Sequence, residues 1–354
     1  MKAVIMAPLP PPAGGIASWA VRMQNAGLKN NWTVEIVDEK IIGRSVHGDK
    51  NKKNFFVEAK RCFTIWRKLK IALRDPESKV VHACTAATTT GMLRDIVSAW
   101  ITHRRHRKYI IHFRCTVSNL ISGGFKKKVF RILCSSSDMI FTLNKQSEEY
   151  IKKSTKTPVR LIPNFVGDEE YKNVQKQQYY ASVRTVLYTG GVTEEKGCAE
   201  IIRAAAAFPD IRFRLVGNIR REISDMDIPS NVILTGVQPE YKIQEELRNA
   251  DLFVFFTHMD SEGFANSLVE AMGAGLPCIV TDWAANSDMI ENKGGIILPV
   301  HDVDGLIRAI VKLRDDRDLR ERMGEWNISK VNASYSGSVV TGQYVDAYES
   351  LLRE

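Results

Sequence analysis

The sequence predicts an α/β protein built from two doubly wound domains, each with a parallel sheet covered by helices on both faces. Two observations predict this class: short β-type runs alternate with helical stretches along almost the whole chain, and one polar stretch interrupts the alternation near its middle. Parallel strands joined by crossover helices are the usual outcome of such βα repetition. A length of 354 residues exceeds one usual hydrophobic core, so two domains are expected.

Six strand candidates predict the first domain, at 1–166. They read KAVIMA at 2–7, TVEIVD at 33–38, KVVHAC at 79–84, KYIIHF at 108–113, MIFTL at 139–143 and VRLIP at 159–163. The polar stretch GDEEYKNVQKQQYYASVR then follows. We place an interdomain linker there, at 167–183.

Six further strand candidates predict the second domain, at 184–335. They span 185–191, 212–217, 231–236, 251–256, 277–282 and 294–299. After residue 300 the pattern is helical, and we expect the last segment, 336–354, to form a helix that packs back toward the first domain. Two such domains predict a ligand crevice at the carboxyl ends of their strands.

The charge is divided unevenly along the chain. Residues 1–170 carry 30 Lys and Arg against 14 Asp and Glu, a formal charge of +16, whereas residues 171–354 carry −7. The first half is therefore expected to face a membrane surface, a nucleic acid or a phosphorylated substrate. No run reaches the roughly 18 apolar residues of a membrane span, and we interpret the N-terminus as a first strand rather than a signal peptide. A cytoplasmic protein is expected.

The spacing of the cysteines and histidines does not indicate a metal site. The six cysteines include no CxxC pair, and the seven histidines show no HExxH or comparable spacing. Buried, reduced thiols and the absence of a structural metal are the resulting expectations. Two Asp-x-Asp strings, at 225–227 and 302–304, are interpreted as a solvated loop and a helix N-cap.

Residues 52–74 predict a basic amphipathic helix. Phe56, Ala59, Phe63, Trp66 and either Leu69 or Lys70 fall near one helical face. Around them lie the basic residues Lys52, Lys53, Lys60, Arg61, Arg67, Lys68 and Arg74. Such a helix either lies in an anionic bilayer interface or packs as an ordinary helix with a solvated charged face.

The segment SEGFANSLVEAMGAGLPCIVTD, at 261–282, indicates ligand binding. It reads as a loop carrying Glu262 at the end of a strand, then a helix with Glu270 on its second turn, then another strand. A helix N-terminus is a natural seat for a phosphate, and a carboxylate accepts hydrogen bonds from two neighbouring hydroxyls. From the residues alone, two interpretations stand: glutamates that grip both ends of a sugar nucleotide, or solvated glutamates near a helix start.

This segment closely resembles the E-x7-E signature of retaining GT-B glycosyltransferases, in particular glycosyltransferase family 4. The resemblance extends in order along about the whole chain, through PPPAGGIASWA, the HF that ends the fourth strand, LIPNFV, TGGVTEEKG and ELRNADLFVFF. It implies the GT-B fold, in which two Rossmann-like domains face a central cleft. It also implies a retaining hexosyltransferase that needs no metal or other cofactor besides its nucleotide-sugar substrate.

The resemblance also implies roles for residues of the second domain. Glu270 is expected to bind the ribose hydroxyls of the nucleotide, and Glu262 the hydroxyls of the transferred sugar. Lys196 is expected to neutralise the departing diphosphate, since its ammonium is a point charge suited to phosphate. The backbone N–H groups of Phe264, Ala265 and Asn266 are expected to face the sugar and the phosphate.

Four further positions complete the candidate site. Gly14 and Gly15 follow the first strand and are expected to let the backbone approach a phosphate, although a rigid loop made by the preceding prolines is an alternative. His112 matches the family histidine whose imidazole or backbone contacts the donor sugar. Gly191 stands where the family pattern has an arginine, so the charge of one diphosphate contact is expected from a neighbour such as Arg220 or Arg114.

The predicted activity is transfer of a hexose or N-acetylhexosamine from a nucleotide sugar, with UDP favoured over GDP, to a polyprenyl-diphosphate-linked saccharide. The product is an α-linkage in polysaccharide biosynthesis, either of the O-antigen of lipopolysaccharide, of capsule or of exopolysaccharide, at the inner face of the cell membrane. Two alternatives remain: another GT-B enzyme such as a sugar-nucleotide 2-epimerase, and a non-catalytic basic protein that binds nucleic acid. No nucleic-acid-binding motif favours the latter, and no nucleic-acid partner is expected.

Overall fold

The chain divides into two compact units. The computed structural model describes residues 1–11, 14–40, 55–172, 175 and 179–353. Unit 1 comprises Met1–Phe165 with Gly337–Glu354, and unit 2 comprises Val166–Ser336. Lys52 and Lys53 of the predicted basic helix, and parts of the predicted linker, lie outside the described residues.

Twelve strands and fifteen α-helices are present in the described part of the chain. The strands are β1 Lys2–Ala7, β2 Thr33–Asp38, β3 Ser78–Thr85, β4 Lys108–Phe113, β5 Met139–Thr142, β6 Val159–Leu161, β7 Thr185–Thr189, β8 Arg212–Val216, β9 Val232–Gly236, β10 Leu252–Phe255, β11 Cys278–Thr281 and β12 Gly295–Leu298. The helices are α1 Gly15–Ala26, α2 Phe55–Ala72, α3 Thr89–His103, α4 Val117–Leu120, α5 Gly124–Ser135, α6 Lys145–Lys152, α7 Asp168–Lys172, α8 Cys198–Ala205, α9 Arg221–Ser224, α10 Glu240–Asn249, α11 Asn266–Gly273, α12 Asn286–Ile290, α13 Val303–Asp315, α14 Arg317–Ser334 and α15 Gly337–Arg353.

Unit 1 is a parallel sheet with a helix layer on each face. Its strand order is β2-β1-β3-β4-β5-β6. Side chains alternate along each strand, so Val4 and Met6 of β1 join one apolar core while Ala3 and Ile5 join the other. Helices α2, α3 and α5 cover the first core, and α1 and α15 cover the second. The C-terminal helix is therefore an integral part of unit 1.

Unit 2 repeats this architecture with the strand order β12-β11-β10-β7-β8-β9. Counted from its own first strand, this is the order 6-5-4-1-2-3 of a dinucleotide-binding fold. The chain runs outward from β7 to one edge and then returns to add β10 on the other side. The adjacent strands β7 and β10 therefore mark the topological switch point of the sheet.

The fold-class prediction is confirmed, because every strand candidate forms a strand and both sheets are parallel throughout. Observed strands end up to two residues earlier than predicted. After β7, for example, Gly190 turns away with a φ of 143°. The segment after residue 300 is helical, as α13, α14 and α15.

The unit boundaries differ from the predicted domain boundaries in one respect. The structure assigns Val166–Ser336, which includes the predicted linker, to unit 2. A buried contact supports this assignment, since the Tyr179 hydroxyl donates to the Gly275 carbonyl at 2.6 Å inside unit 2. Among the described residues, none of the helices combines the length and the apolar character that crossing a membrane requires.

Candidate functional site

The predicted donor residues of unit 2 gather at the switch point of its sheet. Lys196 follows β7, and Glu262 follows β10, the strand beside it. Loops at the carboxyl ends of the two strands that flank a switch point meet at one place, and this is where open α/β sheets bind ligands.

Lys196 ends a short 3-10 turn, Glu194–Lys196, and the glycine after it fixes the turn. Gly197 has a φ of 72°, and a Cβ there would lie 2.0 Å from the carbonyl oxygen of Phe256. No other residue fits without moving this backbone. The Lys196 ammonium lies 5.3 Å above the ring of Phe255, so its position is tied to β10 as well as to β7.

Three hydrogen bonds anchor the loop that carries Glu262, two of them to the segment before Lys196 and one to Trp283. The Thr257 hydroxyl and the His258 N–H both donate to the carbonyl of Glu195, at 3.3 and 2.9 Å. The indole of Trp283 donates to the Met259 carbonyl at 2.8 Å. These bonds hold the β10 loop against the segment that ends at Lys196.

Lys196 and Glu262 form an ion pair through the Lys196 Nζ and the Glu262 Oε2. Their side chains are 20% and 10% exposed, so both are largely shielded from water. The pairing fixes the position of the Lys196 ammonium, and an anion that binds the ammonium competes with the Glu262 carboxylate. The structure thus brings together two of the residues predicted to contact the donor.

Helix α11 places the remaining donor residues. Its inner face packs through Leu268, Val269 and Met272, while Glu270 on the second turn is partly exposed. Ala265 is the N-cap residue and contributes no side-chain acceptor to the first turn. Backbone N–H groups at such a helix start are suited to a phosphate or another anion.

Two residues at the start of α11, Phe264 and Asn266, differ in exposure. Phe264 is buried, with its ring edge-on to Tyr335 at 5.3 Å between centroids. Asn266, the first residue of the helix, is partly exposed. Phe264 therefore contributes to packing as well as offering its backbone, whereas the Asn266 side chain is accessible.

Gly191 has room for a side chain. A Cβ there would have only the methyl group of Thr193 within 4 Å, at 3.8 Å, and its φ lies outside the left-handed range. The Arg220 N–H donates to the carbonyl of Val192 at 3.0 Å, which brings Arg220 beside this loop. Of the two arginines considered as replacements, Arg220 is thus the one within the same unit and next to the gap.

In unit 1, Gly14 and Gly15 begin α1 at the carboxyl end of β1. Gly14 is the N-cap residue, in an ordinary extended conformation with a φ of −178°. Both glycines are exposed, and a Cβ on Gly14 would meet nothing within 4 Å. The glycines leave space for a ligand at this helix start, but the backbone does not require glycine at residue 14.

His112 lies at the centre of a buried network that sequence reasoning missed. Its Nδ1 is 3.0 Å from His82 Nε2, and His82 Nδ1 is 2.7 Å from the Tyr348 hydroxyl. Its Nε2 is 3.4 Å from a guanidinium nitrogen of Arg114. Both imidazole nitrogens of His112 therefore have partners within unit 1, and a contact with a donor sugar stays a prediction.

Burial and the neighbouring guanidinium of Arg114 keep the imidazoles of His82 and His112 neutral. Desolvation, with the charge of Arg114, lowers the pKa of His82 to about 3 and that of His112 well below its ordinary value. The sequence did contain a signal, because His82 and His112 each occur in a predicted strand. Only the adjacency of β3 and β4 shows that they meet.

The Asp-x-Asp strings have the local roles predicted for them. The Asp302 carboxylate accepts from the Gly305 N–H at 2.7 Å and caps α13. Asp225 forms an exposed ion pair with Arg221. All six cysteines are free thiols, and all except Cys62 are buried.

Comparison with known proteins matches these features to one family. Residues 170–329, nearly all of unit 2, match the family described as glycosyl transferases group 1. The matched range includes Gly191, Lys196, Glu262 and Glu270.

Two curated proteins are examples of the sequences that are similar to this chain. The phosphatidyl-myo-inositol mannosyltransferase of Mycolicibacterium smegmatis is 29% identical over 54% of this chain and 51% of its own length. The UDP-Gal:alpha-D-GlcNAc-diphosphoundecaprenol alpha-1,3-galactosyltransferase of Escherichia coli is 25% identical over 70% and 69%. The match spans between about half and two thirds of the first curated relatives.

Solved structures show the same fold over the full length. Anabaena HepE in complex with UDP superimposes with a TM-score of 0.72 and covers 99% of this chain and 100% of its own, at 15% sequence identity. At that identity the likeness concerns the fold. The predicted GT-B fold is thereby confirmed.

Proposed function

Because residues 170–329 match the family of glycosyl transferases group 1, we propose that the chain transfers a sugar from a nucleotide-diphosphate donor to a hydroxyl acceptor. The observation that carries the proposal is the ion pair of Lys196 with Glu262 at the switch point of unit 2. It supplies a cation for a diphosphate and a carboxylate for sugar hydroxyls in one place. Glu270, on the helix that follows, supplies a second carboxylate for the ribose.

The donor phosphates are held by charge and by backbone groups. Lys196 neutralises the leaving diphosphate, and the N–H groups at the start of α11, around Ala265 and Asn266, donate to the sugar and the phosphate. Arg220 supplies the positive charge that a family arginine at position 191 would give. Stabilisation by such fixed donors accounts for much of the catalysis in this reaction class.

The transfer retains the anomeric configuration and yields an α-linkage. The acceptor hydroxyl attacks from the face that the diphosphate leaves, and the donor's own β-phosphate accepts the hydroxyl proton. One C–O bond to the sugar forms, one breaks, and the nucleoside diphosphate departs with the proton. Because Lys196 carries the electrostatic role, this chemistry relies on a side-chain ammonium rather than on a bound metal ion.

The donor is a UDP-linked hexose or N-acetylhexosamine, and the acceptor is a saccharide on a polyprenyl diphosphate. Two relatives support this choice: Anabaena HepE has been solved with UDP, and the Escherichia coli relative is named for UDP-Gal and a diphosphoundecaprenol-linked acceptor. Other curated relatives are named for lipopolysaccharide core and capsular polysaccharide biosynthesis. The product belongs to a bacterial surface polysaccharide.

Unit 1 approaches an anionic membrane through the layer of α2, α3 and α5. The inward face of α2 consists of Ile65, Leu69 and Ala72, whereas Phe56 and Phe63 point outward with 81% and 68% exposure. The predicted apolar face is therefore wrong in part: Phe56, Ala59 and Phe63 are exposed and Ile65 fills the core. Leu69 and the partly buried Trp66 pack against the core, as predicted.

Further exposed apolar and basic residues share this layer. The apolar ones are Leu93 and Trp100 on α3 and Phe125 and Ile132 on α5. The exposed basic ones on α2 are Lys60, Arg67, Lys68 and Lys70. Aromatic side chains among basic residues suit an anionic bilayer interface, so the protein associates peripherally with the inner face of the cell membrane.

Thermal shift with UDP, GDP and their sugar conjugates tests the donor site. A ligand that binds only the folded state raises the melting temperature. We expect a shift with UDP and its sugars that Glu270→Ala abolishes and that Glu245→Ala, which alters an exposed glutamate on α10, leaves unchanged. A shift that persists in Glu270→Ala would refute the ribose-binding role. If no nucleotide shifted the wild type, the donor site itself would be refuted.

A further inference from the structure

We infer that unit 2 contains a binding site for a divalent transition-metal ion of the zinc type, formed by Glu200, His258 and His301. One ligand atom from each of the three side chains lies within 4.8 Å of the other two. None of the three has a role in the proposed transfer, and the inference does not depend on that reaction.

Three separate elements bring these side chains together. Glu200 is on the first turn of α8, His258 is in the loop after β10, and His301 lies between β12 and α13. The Nδ1 of His301 is 2.7 Å from the Glu200 Oε1, and the two imidazole rings have centroids 4.3 Å apart. Ligands from three elements are held in place by the fold rather than by one flexible loop.

Two polar atoms of the cluster have no hydrogen-bond partner among the described residues. They are the Glu200 Oε2 and the His258 Nδ1, and both atoms are shielded from solvent. Glu200 is itself only 6% exposed. A buried carboxylate oxygen without a partner is strongly unfavourable, whereas one metal ion would satisfy both atoms at once.

The donor set selects the kind of ion. Two imidazoles and one carboxylate suit Zn²⁺ and its neighbours in the transition series, whereas Mg²⁺ and Ca²⁺ prefer oxygen ligands alone. Nitrogen and oxygen ligands lie about 2.0–2.2 Å from zinc, so small side-chain movements would bring the three atoms into range. The His301 side chain is 59% exposed, which leaves one side open to an arriving ion and to water as a fourth ligand.

A second cluster of potential ligands, formed by His82, Cys84 and His112 in unit 1, does not meet these conditions. All ring nitrogens of its two histidines already have partners within the core. The adjacent Arg114 guanidinium repels a cation. The metal site is therefore assigned to unit 2 alone.

Metal binding would stiffen the loop that carries the catalytic carboxylate. His258 lies four residues before Glu262, and its N–H already donates to Glu195 next to Lys196. A metal ion would join this loop to α8 and to the segment before α13. We therefore expect the ion to stabilise unit 2 and to restrain the β10 loop.

Isothermal titration calorimetry on tag-free, chelator-treated protein tests the site with Zn²⁺, and visible absorption with Co²⁺ reports its ligand geometry. We expect one equivalent to bind and the melting temperature to rise with Zn²⁺. His301→Asn should weaken binding at least about tenfold, since one of three protein ligands is lost. His106→Asn is the matched control, because both histidines are accessible and have positive φ values, 64° and 54°.

Glu200→Gln provides a second variant, which keeps the size of the side chain but removes its charge. It should also weaken Zn²⁺ binding, and its fold can be verified by circular dichroism. Equal Zn²⁺ affinity in the wild type, His301→Asn and Glu200→Gln would overturn the assignment and would indicate binding elsewhere, for example at the Cys62 thiol. Absence of any binding to the wild type would also overturn it.

Discussion

The ammonium of Lys196 pairs with the carboxylate of Glu262 across the switch point of the second sheet, although 66 positions separate them in the chain. Each of these two charged groups is thus engaged by the other, and each would have to leave its partner to contact a bound donor. A diphosphate that binds Lys196 competes with Glu262, and a sugar that binds Glu262 competes with Lys196.

Lys196→Met should weaken nucleotide diphosphate binding by about 10- to 100-fold, because a charge-assisted hydrogen bond of about 1.5–3 kcal/mol is lost. Glu262→Gln should bind UDP at least as tightly as the wild type, since the competing carboxylate is neutralised. It should lose the additional affinity that the sugar gives to UDP-sugar. Calorimetry with UDP and UDP-sugars measures both effects.

Lys330→Met is the matched control for Lys196→Met, because Lys330 is about as exposed as Lys196 and forms an ion pair, with Glu291, in the same unit. It should leave nucleotide affinity unchanged. If Lys196→Met retained wild-type affinity for UDP, the assignment of Lys196 to the diphosphate would be wrong.

Gly191→Arg should fold and should strengthen donor binding. The backbone at Gly191 accommodates a Cβ, and the added guanidinium provides the diphosphate contact that the family pattern has at this position. We expect the affinity for UDP-sugar to increase about tenfold, from one additional charge-assisted bond. The complementary variant Arg220→Ala should weaken binding in the wild type but much less in Gly191→Arg. If Arg220→Ala reduced the affinity for UDP-sugar equally in the wild type and in Gly191→Arg, Arg220 would not take the role of the missing arginine.

His82 should make the first unit sensitive to acid. Its folded-state pKa of about 3 lies below the unfolded value of about 6.5, so the unfolded state takes up a proton first as the pH falls. The stabilisation is complete above pH 6.5 and is lost progressively as the pH falls toward 3. At pH 5 the loss amounts to about 2 kcal/mol.

His82→Asn isolates this contribution. The destabilisation caused by the substitution, measured by urea unfolding, should be about 2 kcal/mol smaller at pH 5 than at pH 7. Groups such as Glu39, whose pKa burial raises to about 8, are present in both proteins and cancel in the comparison. A pH-independent difference between the two proteins would show that His82 titrates normally in the folded state.

The double substitution Phe56→Ser and Phe63→Ser should reduce binding to vesicles that contain anionic lipid. Both rings are largely exposed on α2 among basic residues, so insertion into a bilayer interface would bury further apolar surface. Co-sedimentation at low salt should show the loss, and binding of the wild type should weaken at high salt. Tyr241→Ser removes a 64% exposed aromatic ring from unit 2 and should have no effect. A wild type that ignores anionic vesicles would refute the proposed membrane association.

Much of the fold follows from local sequence. The inner strands of the two sheets, such as β4 and β10, are short apolar runs buried on both faces, so KYIIHF and DLFVFF can be recognised as strands from the sequence alone. The second-turn position of Glu270 follows equally from local rules, since the packing residues of α11 and the Gly275 that ends it are within ten positions. Lys196 was identified by its motif.

The sequence by itself determined which residues form the strands, which helix carries Glu270 and how unevenly the charge is distributed, because these properties depend on neighbours along the chain. Only the tertiary structure decided that Lys196 pairs with Glu262, that His82 meets His112, and that Glu200, His258 and His301 form one cluster. It also decided that α2 packs through Ile65 and Leu69 and leaves its phenylalanines exposed. These contacts depend on strand order and helix rotation, which are set by the burial of whole faces and have no local signature in the sequence.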